Sequence, residues 1–354
     1  MPSSARGPSH FRTRRQLLSG LGAAGLGALL PSGAAFAQAA RFGTADYGLA
    51  SIDPLYSMAY LAAKKGYADS AGLAVKVMNA QSGPRAKQML AAGQLFAATS
   101  GVNDPVSLTV AGKQAVLVAG FDTRFAFGNV LVSKKLYDSG VRDVKALAGH
   151  SIGITQPQSA TWLMAVYLAD RAGVKDKVQI KPLGDFATML GAVKSGAVDS
   201  CTATYSMLHK ARQEGWGVPL FEVTDDRSWN AAFGGDIPGV GLYVMQETIE
   251  QRPDAVQALV TGITKATDFI AANSAANIVA AIGDDLQGYT PELSIDSVNA
   301  FKKFWSTDNL ITREHYQRLL TVMGGRQLTD DEVKLVPYEK MVDMRFVKAA
   351  RKLA

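Results

Sequence analysis

The 354-residue chain is poor in cysteine and histidine, with one of the first, Cys201, and four of the second. A lone cysteine cannot close an intrachain disulfide, so the fold does not rely on cross-links. His10, His150, His209 and His315 are scattered, and none stands at ligand spacing from the cysteine or a carboxylate. That pattern argues against a metal centre and against His-based catalysis. No segment after residue 37 offers the roughly 18 unbroken apolar residues of a membrane span. Lys/Arg runs stop at pairs such as Lys64-Lys65. Arg6, Arg12, Arg14 and Arg15 fall before residue 38, where no acid occurs; beyond them 33 basic residues face 31 acidic ones. So nearly neutral a body argues against nucleic acid as a partner. What is present is 47% hydrophobic with 34 glycines, a globular composition. The length suits a large core divided into two domains or lobes.

The first 37 residues read as an address. Thr13-Arg14-Arg15-Gln16-Leu17-Leu18 opens an apolar stretch reaching Leu30, and Pro31 and Ala35-Phe36-Ala37 follow. A charged start, a short apolar run and a small-x-small site make a signal peptide over 1–37, with cleavage near Ala37. The arginine pair resembles a twin-arginine signal; an ordinary secretory signal with a chance pair is the alternative. Export by the twin-arginine or the general machinery would deliver a soluble chain, starting near Gln38, to a periplasm. No cysteine follows the apolar run, so no lipid anchor is expected there.

Along the mature chain, short apolar runs alternate with helical patterns. A strand is expected from Arg41–Thr44, then a helix from the spacing of Leu55, Met58, Ala59 and Ala62. Strands follow at 73–78, 96–99 and 115–119, with helices opening at Ser82-Gly83-Pro84 and Asp104-Pro105. After a crossing strand at 130–132 the rhythm restarts: strands at 151–155, 178–183, 198–202 and 220–223, and helices at 160–172, 186–193 and 206–213. A strand at 240–244 crosses back, and helices dominate from 253 onward. This is an α/β pattern of mostly parallel sheets flanked by helices. A helix, a glycine and a small-residue strand recur around Gly93 and Gly196, 103 residues apart. The echo suggests one βα lobe inserted into another: lobe 1 from 41–131 plus 240–354, lobe 2 from 132–239.

Several short motifs stand in a meaningful order. They are Pro54-Leu55-Tyr56-x-x-Ala59, Lys64-Lys65-Gly66-Tyr67, Ala71-Gly72-Leu73, Gln81-Ser82-Gly83 and Leu90-Ala91-Ala92-Gly93. Val141 to Gly149, Ser151-Ile152-Gly153-Ile154, Gln158-Ser159-Ala160-Thr161 and Ser195 to Asp199 continue the series. Arg252-Pro253-Asp254 and the tail around Val336-Pro337-Tyr338 complete it. Together they resemble the nitrate/sulfonate/taurine-type, also thiamine-precursor-type, substrate-binding proteins of ABC importers, over nearly all of 41–345. The resemblance implies a two-lobed periplasmic binding protein fold of type II, with a ligand cleft between the lobes and an ABC permease with its ATPase as partner. It implies no catalysis, no cofactor and no metal, and a monomer is expected. The sequence departs from the family at Gly93-Gln94-Leu95-Phe96, which lacks an acid, at Gln158 in place of glycine, and at Asn103-Asp104.

In a parallel sheet, ligands lie beyond the strand C-termini, where helix N-termini favour anions. Three loops qualify: Ser82-Gly83, Asn103-Asp104, and Gln158-Ser159-Ala160-Thr161 with Trp162 behind it. Each serine is equally suited to be a plain helix cap. Aromatics in the segments expected to face the cleft are Tyr47, Tyr56, Phe121, Phe125, Phe127, Trp162, Tyr205, Trp229 and Phe233. They point to a ligand with an apolar or aromatic part. Arg124 could pair a carboxylate or sulfonate, or lie at the surface. Asp46, Asp53, Asp104 or Asp236 could instead receive an amine or pyrimidine nitrogen. The expected solute is a small organic anion; a thiamine-precursor-like amine or pyrimidine, an enzyme on the same fold, or a sensory module are the alternatives.

Overall fold

The computed structural model describes residues 41–353. The signal segment expected over 1–37 lies outside them. Ten strands are described: β1 (Thr44–Leu49), β2 (Ala74–Asn79), β3 (Ala97–Gly101), β4 (Ala115–Gly120), β5 (Asn129–Ser133), β6 (Ser151–Ile154), β7 (Gln179–Pro182), β8 (Ser200–Ala203), β9 (Gly217–Phe221) and β10 (Val240–Met245). They form two five-stranded sheets, ordered β2-β1-β3-β10-β4 and β7-β6-β8-β5-β9. In the first, β1 runs parallel to β2 and β3, while β10 is antiparallel to β3 and β4. In the second, β6 is parallel to β7 and β8, and β5 is antiparallel to β8 and β9. Each sheet therefore has one strand against the rest, and the chain exchanges β5 for β10 between them.

The expected crossing strand at 130–132 is the interior of β5. Its ladder in the second sheet begins with Asn129 opposite Ala203 and Val130 opposite Phe221. A division after residue 131 would cut that ladder, so the structural break falls ahead of Asn129. The first strand also starts later than expected, at Thr44, because Gly43 takes a left-handed turn (φ 77°).

Helices cover both faces. They are α1 (Ser57–Lys64), α2 (Gly83–Ala91), α3 (Asn103–Val110), α4 (Lys134–Asp138), α5 (Ala160–Arg171), α6 (Phe186–Ser195), α7 (Tyr205–Gln213) and α8 (Asp226–Phe233). After β10 come α9 (Gln246–Gln251), α10 (Pro253–Ala272), α11 (Ala275–Ile282), α12 (Pro291–Phe301), α13 (Arg313–Met323) and three short helices. Helices α10 and α11 pack on α1, beside the first sheet, whereas α12 reaches α7 beside the second. The exposed Asp225 carboxylate caps α8, accepting from the Ser228 amide at 2.6 Å.

The internal echo has a structural counterpart. Gly93 (φ 72°) follows α2 and Gly196 (φ 79°) follows α6, each in the left-handed region that ends a helix cheaply only with glycine. The small-residue strands after them, β3 and β8, are wholly buried and take the third place in their sheets. Helices on both faces require that burial.

The two crossings are tied to each other. Asp122 Oδ1 accepts from the Gly239 and Val240 amides, both at 2.8 Å, and Ile237 N donates to Thr123 O at 2.8 Å. A Cβ on Gly239 would lie 2.4 Å from Arg124 O and 2.6 Å from Phe125 Cα. Both are backbone atoms and cannot swing aside. Gly239→Ala is therefore expected to cost about 1–3 kcal/mol by overpacking. Urea unfolding reads this directly; an unchanged midpoint would mean the crossings slide apart without penalty.

Candidate functional site

A small cavity of about 20 Å³ lies where the C-terminal ends of the two sheets face each other. Ala50 follows β1, Gly101 ends β3 and Thr155 follows β6. Ser82 and Gly83 open α2, Asp104 lies in the first turn of α3, Ser159, Ala160 and Thr161 open α5, and Phe186 opens α6. Phe127, from the first crossing, completes the wall. The end of β3 and the start of α5 approach closely: a Cβ on Gly101 would sit 2.6 Å from the Ala160 Cβ. The volume is close to that of a single water-sized group.

The polar wall is built from hydroxyls at helix starts. Ser159 Oγ accepts from the Trp162 amide at 3.1 Å and lies 2.7 Å from Thr161 Oγ1. Thr161 Oγ1 also accepts from Thr155 N at 3.0 Å and lies 2.9 Å from Thr155 Oγ1. Ser82 Oγ caps α2 by accepting from Arg85 N at 3.3 Å. The positive ends of α2 and α5 thus meet at one point, together with their first free amides.

Asp104 adds one buried carboxylate. Its Oδ2 accepts from Ser100 Oγ at 2.7 Å, and Ser100 Oγ lies 2.9 Å from the Tyr243 hydroxyl. Its Oδ1 has no hydrogen-bond partner among the described residues; Lys87 Nζ lies 3.6 Å away and donates to Ser107. Burial raises the Asp104 pKa, and Lys87 and Ser100 oppose the rise. Gly83 is glycine for reasons of space, since a Cβ there would stand 2.1 Å from Asp104 Oδ2.

Of the residues expected from sequence, the structure brings together Ser82, Gly83, Asp104, Ser159, Ala160 and Thr161. Asn103 and Gln158 sit beside the cavity but engage each other, Asn103 Nδ2 donating to Gln158 O at 3.1 Å. Gln327 Nε2 donates to the same carbonyl at 3.0 Å, and Gln158 itself is held at φ 63°. The others do not line the cavity. Tyr47 is buried in β1 with its hydroxyl on Thr99. Tyr56 is fully buried, and that burial pushes its pKa up. Arg124 donates to Val223 O at 2.7 Å, pairs with Asp226 and covers Trp229, so its guanidinium is used within the fold. Trp162 is half-buried against the core. Tyr205 stacks on His209 at 5.8 Å. Asp236 receives Arg318 on its backbone carbonyl at 3.1 Å. Asp46 is exposed on β1, and Asp53 is buried among neutral donors.

The aromatic cluster is likewise revised. Phe127 alone of the nine rings lines the cavity; Phe121, Phe125 and Trp229 are fully buried, and Trp229 stacks on Phe233 at 4.2 Å. Ala50, Thr155 and Phe186 escaped the sequence reading. All three occupy positions at parallel-strand ends or a helix start, where the same rule that selected Ser82 and Ser159 would have found them.

A larger cavity of about 480 Å³ adjoins the first and shares Phe186 with it. One wall carries Ser51, Ile52, Asn79, Gln81 and Gln287-Gly288-Tyr289; the other carries Asp185 to Ala187, Leu190, Gly191, Lys194, Lys210, Glu214 and Trp216. Glu214 accepts from Lys194 at 2.8 Å and from the Trp216 indole at 2.8 Å, and Lys210 lies 3.2 Å away. Lys194 first, then Trp216, holds its pKa down at about 2. Among the described residues no cluster of three His, Cys, Asp or Glu is placed to hold a metal ion, and no helix is long and apolar enough to cross a membrane.

Residues 54–276 match the family model described as NMT1/THI5 like. A solved protein of Bordetella bronchiseptica RB50 is 21% identical, covering 87% of this chain and 97% of its own, with a TM-score of 0.78. The periplasmic nitrate-binding protein NrtA from Synechocystis PCC 6803 is 14% identical over 87% of this chain and 88% of its own, TM-score 0.71. The periplasmic aliphatic sulphonate binding protein SsuA from Escherichia coli is 16% identical over 79% of this chain and 90% of its own, TM-score 0.62. At these identities the likeness is one of fold, the two-lobed periplasmic binding protein fold that both sheets already describe.

Proposed function

We infer the function from one premise: this chain belongs to the NMT1/THI5-like family. It is an exported binding protein that captures a small organic solute between its lobes and delivers it, chemically unchanged, to an ABC permease with its ATPase. The lobes open and close about the crossings 121–128 and 222–239. The solute is an organic anion, a sulfonate or carboxylate, with an apolar part. The observation that carries this reading is the convergence of two helix starts, at Ser82 and Ser159, on one cavity between the sheets. The names of NrtA and SsuA, both binders of anions, agree with it.

A second reading has its own support. Asp104 is a buried carboxylate on the cavity wall whose Oδ1 accepts no hydrogen bond from the described residues, its nearest cation being Lys87 at 3.6 Å, and a carboxylate there suits an amine or a pyrimidine N–H. A thermal-shift panel separates the two, because a ligand at 100 times its Kd stabilises by about 2.7 kcal/mol. Sulfonates or carboxylates are expected to raise Tm, and to be recovered unchanged. A rise with amines or pyrimidines alone would reverse the order of the two readings. Turnover of any compound would overturn the binding function itself.

A further inference from the structure

We propose that the 480 Å³ cavity is a tail subsite, which takes the hydrocarbon or aromatic part of a ligand whose anionic head sits between Ser82 and Ser159. The inference rests on the anion reading above and adds where the rest of the ligand lies. The head cavity, at about 20 Å³, has room for one water-sized group, such as a single oxygen of the head, so the rest of any solute must extend out of it. It extends towards the large cavity, because the two share Phe186 and are walled by consecutive residues: Ala50 and Ser51, Gln81 and Ser82.

The large cavity has the chemistry of a tail site. Ile52, Phe186, Leu190, Trp216 and Tyr289 supply its apolar surface. Several of its polar groups are already engaged within the fold. Glu214 is held by Lys194, Lys210 and the Trp216 indole. Asp185 caps α6 through the Thr188 amide at 2.9 Å, and the Tyr289 hydroxyl donates to Asp53 at 2.9 Å. A ligand segment that covers Ile52, Phe186, Leu190 and the Trp216 ring gains by shedding water, while Lys194 and Lys210 stay on Glu214. The volume lies in the range that encloses a drug-sized molecule.

Gly191 makes the proposal testable without disturbing the fold. It lies within α6 on the cavity wall, and a Cβ built on it meets nothing within 4 Å. Gly191→Trp therefore places bulk in the cavity while removing a helix-weakening glycine. The probes are straight-chain sulfonates and carboxylates from two to eight carbons, titrated calorimetrically into the full mature protein. Wild-type affinity is expected to rise about fourfold per added methylene, the equivalent of about 0.8 kcal/mol for each buried CH₂. Gly191→Trp should leave the two-carbon ligands unaffected and flatten the series beyond about three carbons. Ser159→Ala should weaken every member by a similar factor and keep the slope. A flat wild-type series, or a slope that survives in Gly191→Trp, overturns the tail subsite while leaving the head site standing. Failure of all these anions to bind removes the anion reading and the subsite with it.

Discussion

Asp53→Ala is expected to cost about 3 kcal/mol of stability and to weaken ligand binding in addition. Asp53 is fully buried between β1 and the 3-10 turn at Pro54–Tyr56, which it caps through the Leu55 amide at 2.8 Å. It also accepts from Thr204 Oγ1 at 2.9 Å, Ser206 Oγ at 3.0 Å and the Tyr289 hydroxyl at 2.9 Å. All four donors are uncharged. Burial raises the Asp53 pKa and the donors only partly oppose it. Alanine leaves an amide and three hydroxyls without their common acceptor. A buried donor left unpaired costs about 1–3 kcal/mol, and rotation of the hydroxyls towards other acceptors recovers part of the sum. Thr204 and Ser206 belong to the start of α7, beside the second sheet, whereas Asp53 follows the first. Two of the four bonds therefore join the lobes and are made only when the lobes are together. Their loss penalises the closed form, which lowers apparent affinity by the fraction of closed protein lost. Asp53→Asn keeps the shape and one acceptor oxygen, so it should recover about half of the stability. A urea midpoint for Asp53→Ala within about 0.5 kcal/mol of wild type would show that the cluster contributes nothing.

The features legible in the sequence were those fixed by neighbours in the chain. Gly93 and Gly196 mark the ends of α2 and α6 because helix termination needs only a local left-handed residue. Ser82 and Ser159 were found because an N-cap and the amide it binds are three residues apart. The strand-end rule then placed these serines at a cleft without any knowledge of side-chain packing. Orientation within the sheets was not legible. In strands covered on both faces, apolar residues do not alternate with polar ones. Nothing in the sequence then marks Tyr47, on β1, as facing the core, and Phe127, in the crossing ahead of β5, lies outside any periodic pattern although it lines the cavity. Arg124 shows the same limit for charge: its partners, Val223 and Asp226, are about a hundred residues away along the chain. Asp53 was visible only as one of several acids, since three of its donors lie more than 150 residues away.

Ser159→Ala should reduce affinity for an anionic ligand by about 10- to 150-fold and leave the fold nearly intact. The hydroxyl is buried at the cavity and already has two neighbours, the Trp162 amide and Thr161 Oγ1. The amide occupies one lone pair of Ser159 Oγ, and the hydroxyl hydrogen is free to turn from Thr161 to a ligand oxygen. A hydrogen bond to a charged group contributes about 1.5–3 kcal/mol, which gives the stated range. Loss of the cap accounts for about 1 kcal/mol of stability in either case, so stability alone does not discriminate. Affinity does, provided it is measured beside Thr161→Val. That variant removes the acceptor for the Thr155 amide and the partner of the Thr155 hydroxyl but leaves the α5 cap in place. Both variants should bind an anion more weakly if the hydroxyls face it, and the double variant should lose less than the two singles added together, because they share one network. An unchanged affinity in Ser159→Ala, with the cap penalty still visible in the urea midpoint, would reduce Ser159 to a helix cap. The anion would then have to be held from the other side of the cavity, at the Ser82 hydroxyl and the first amides of α2.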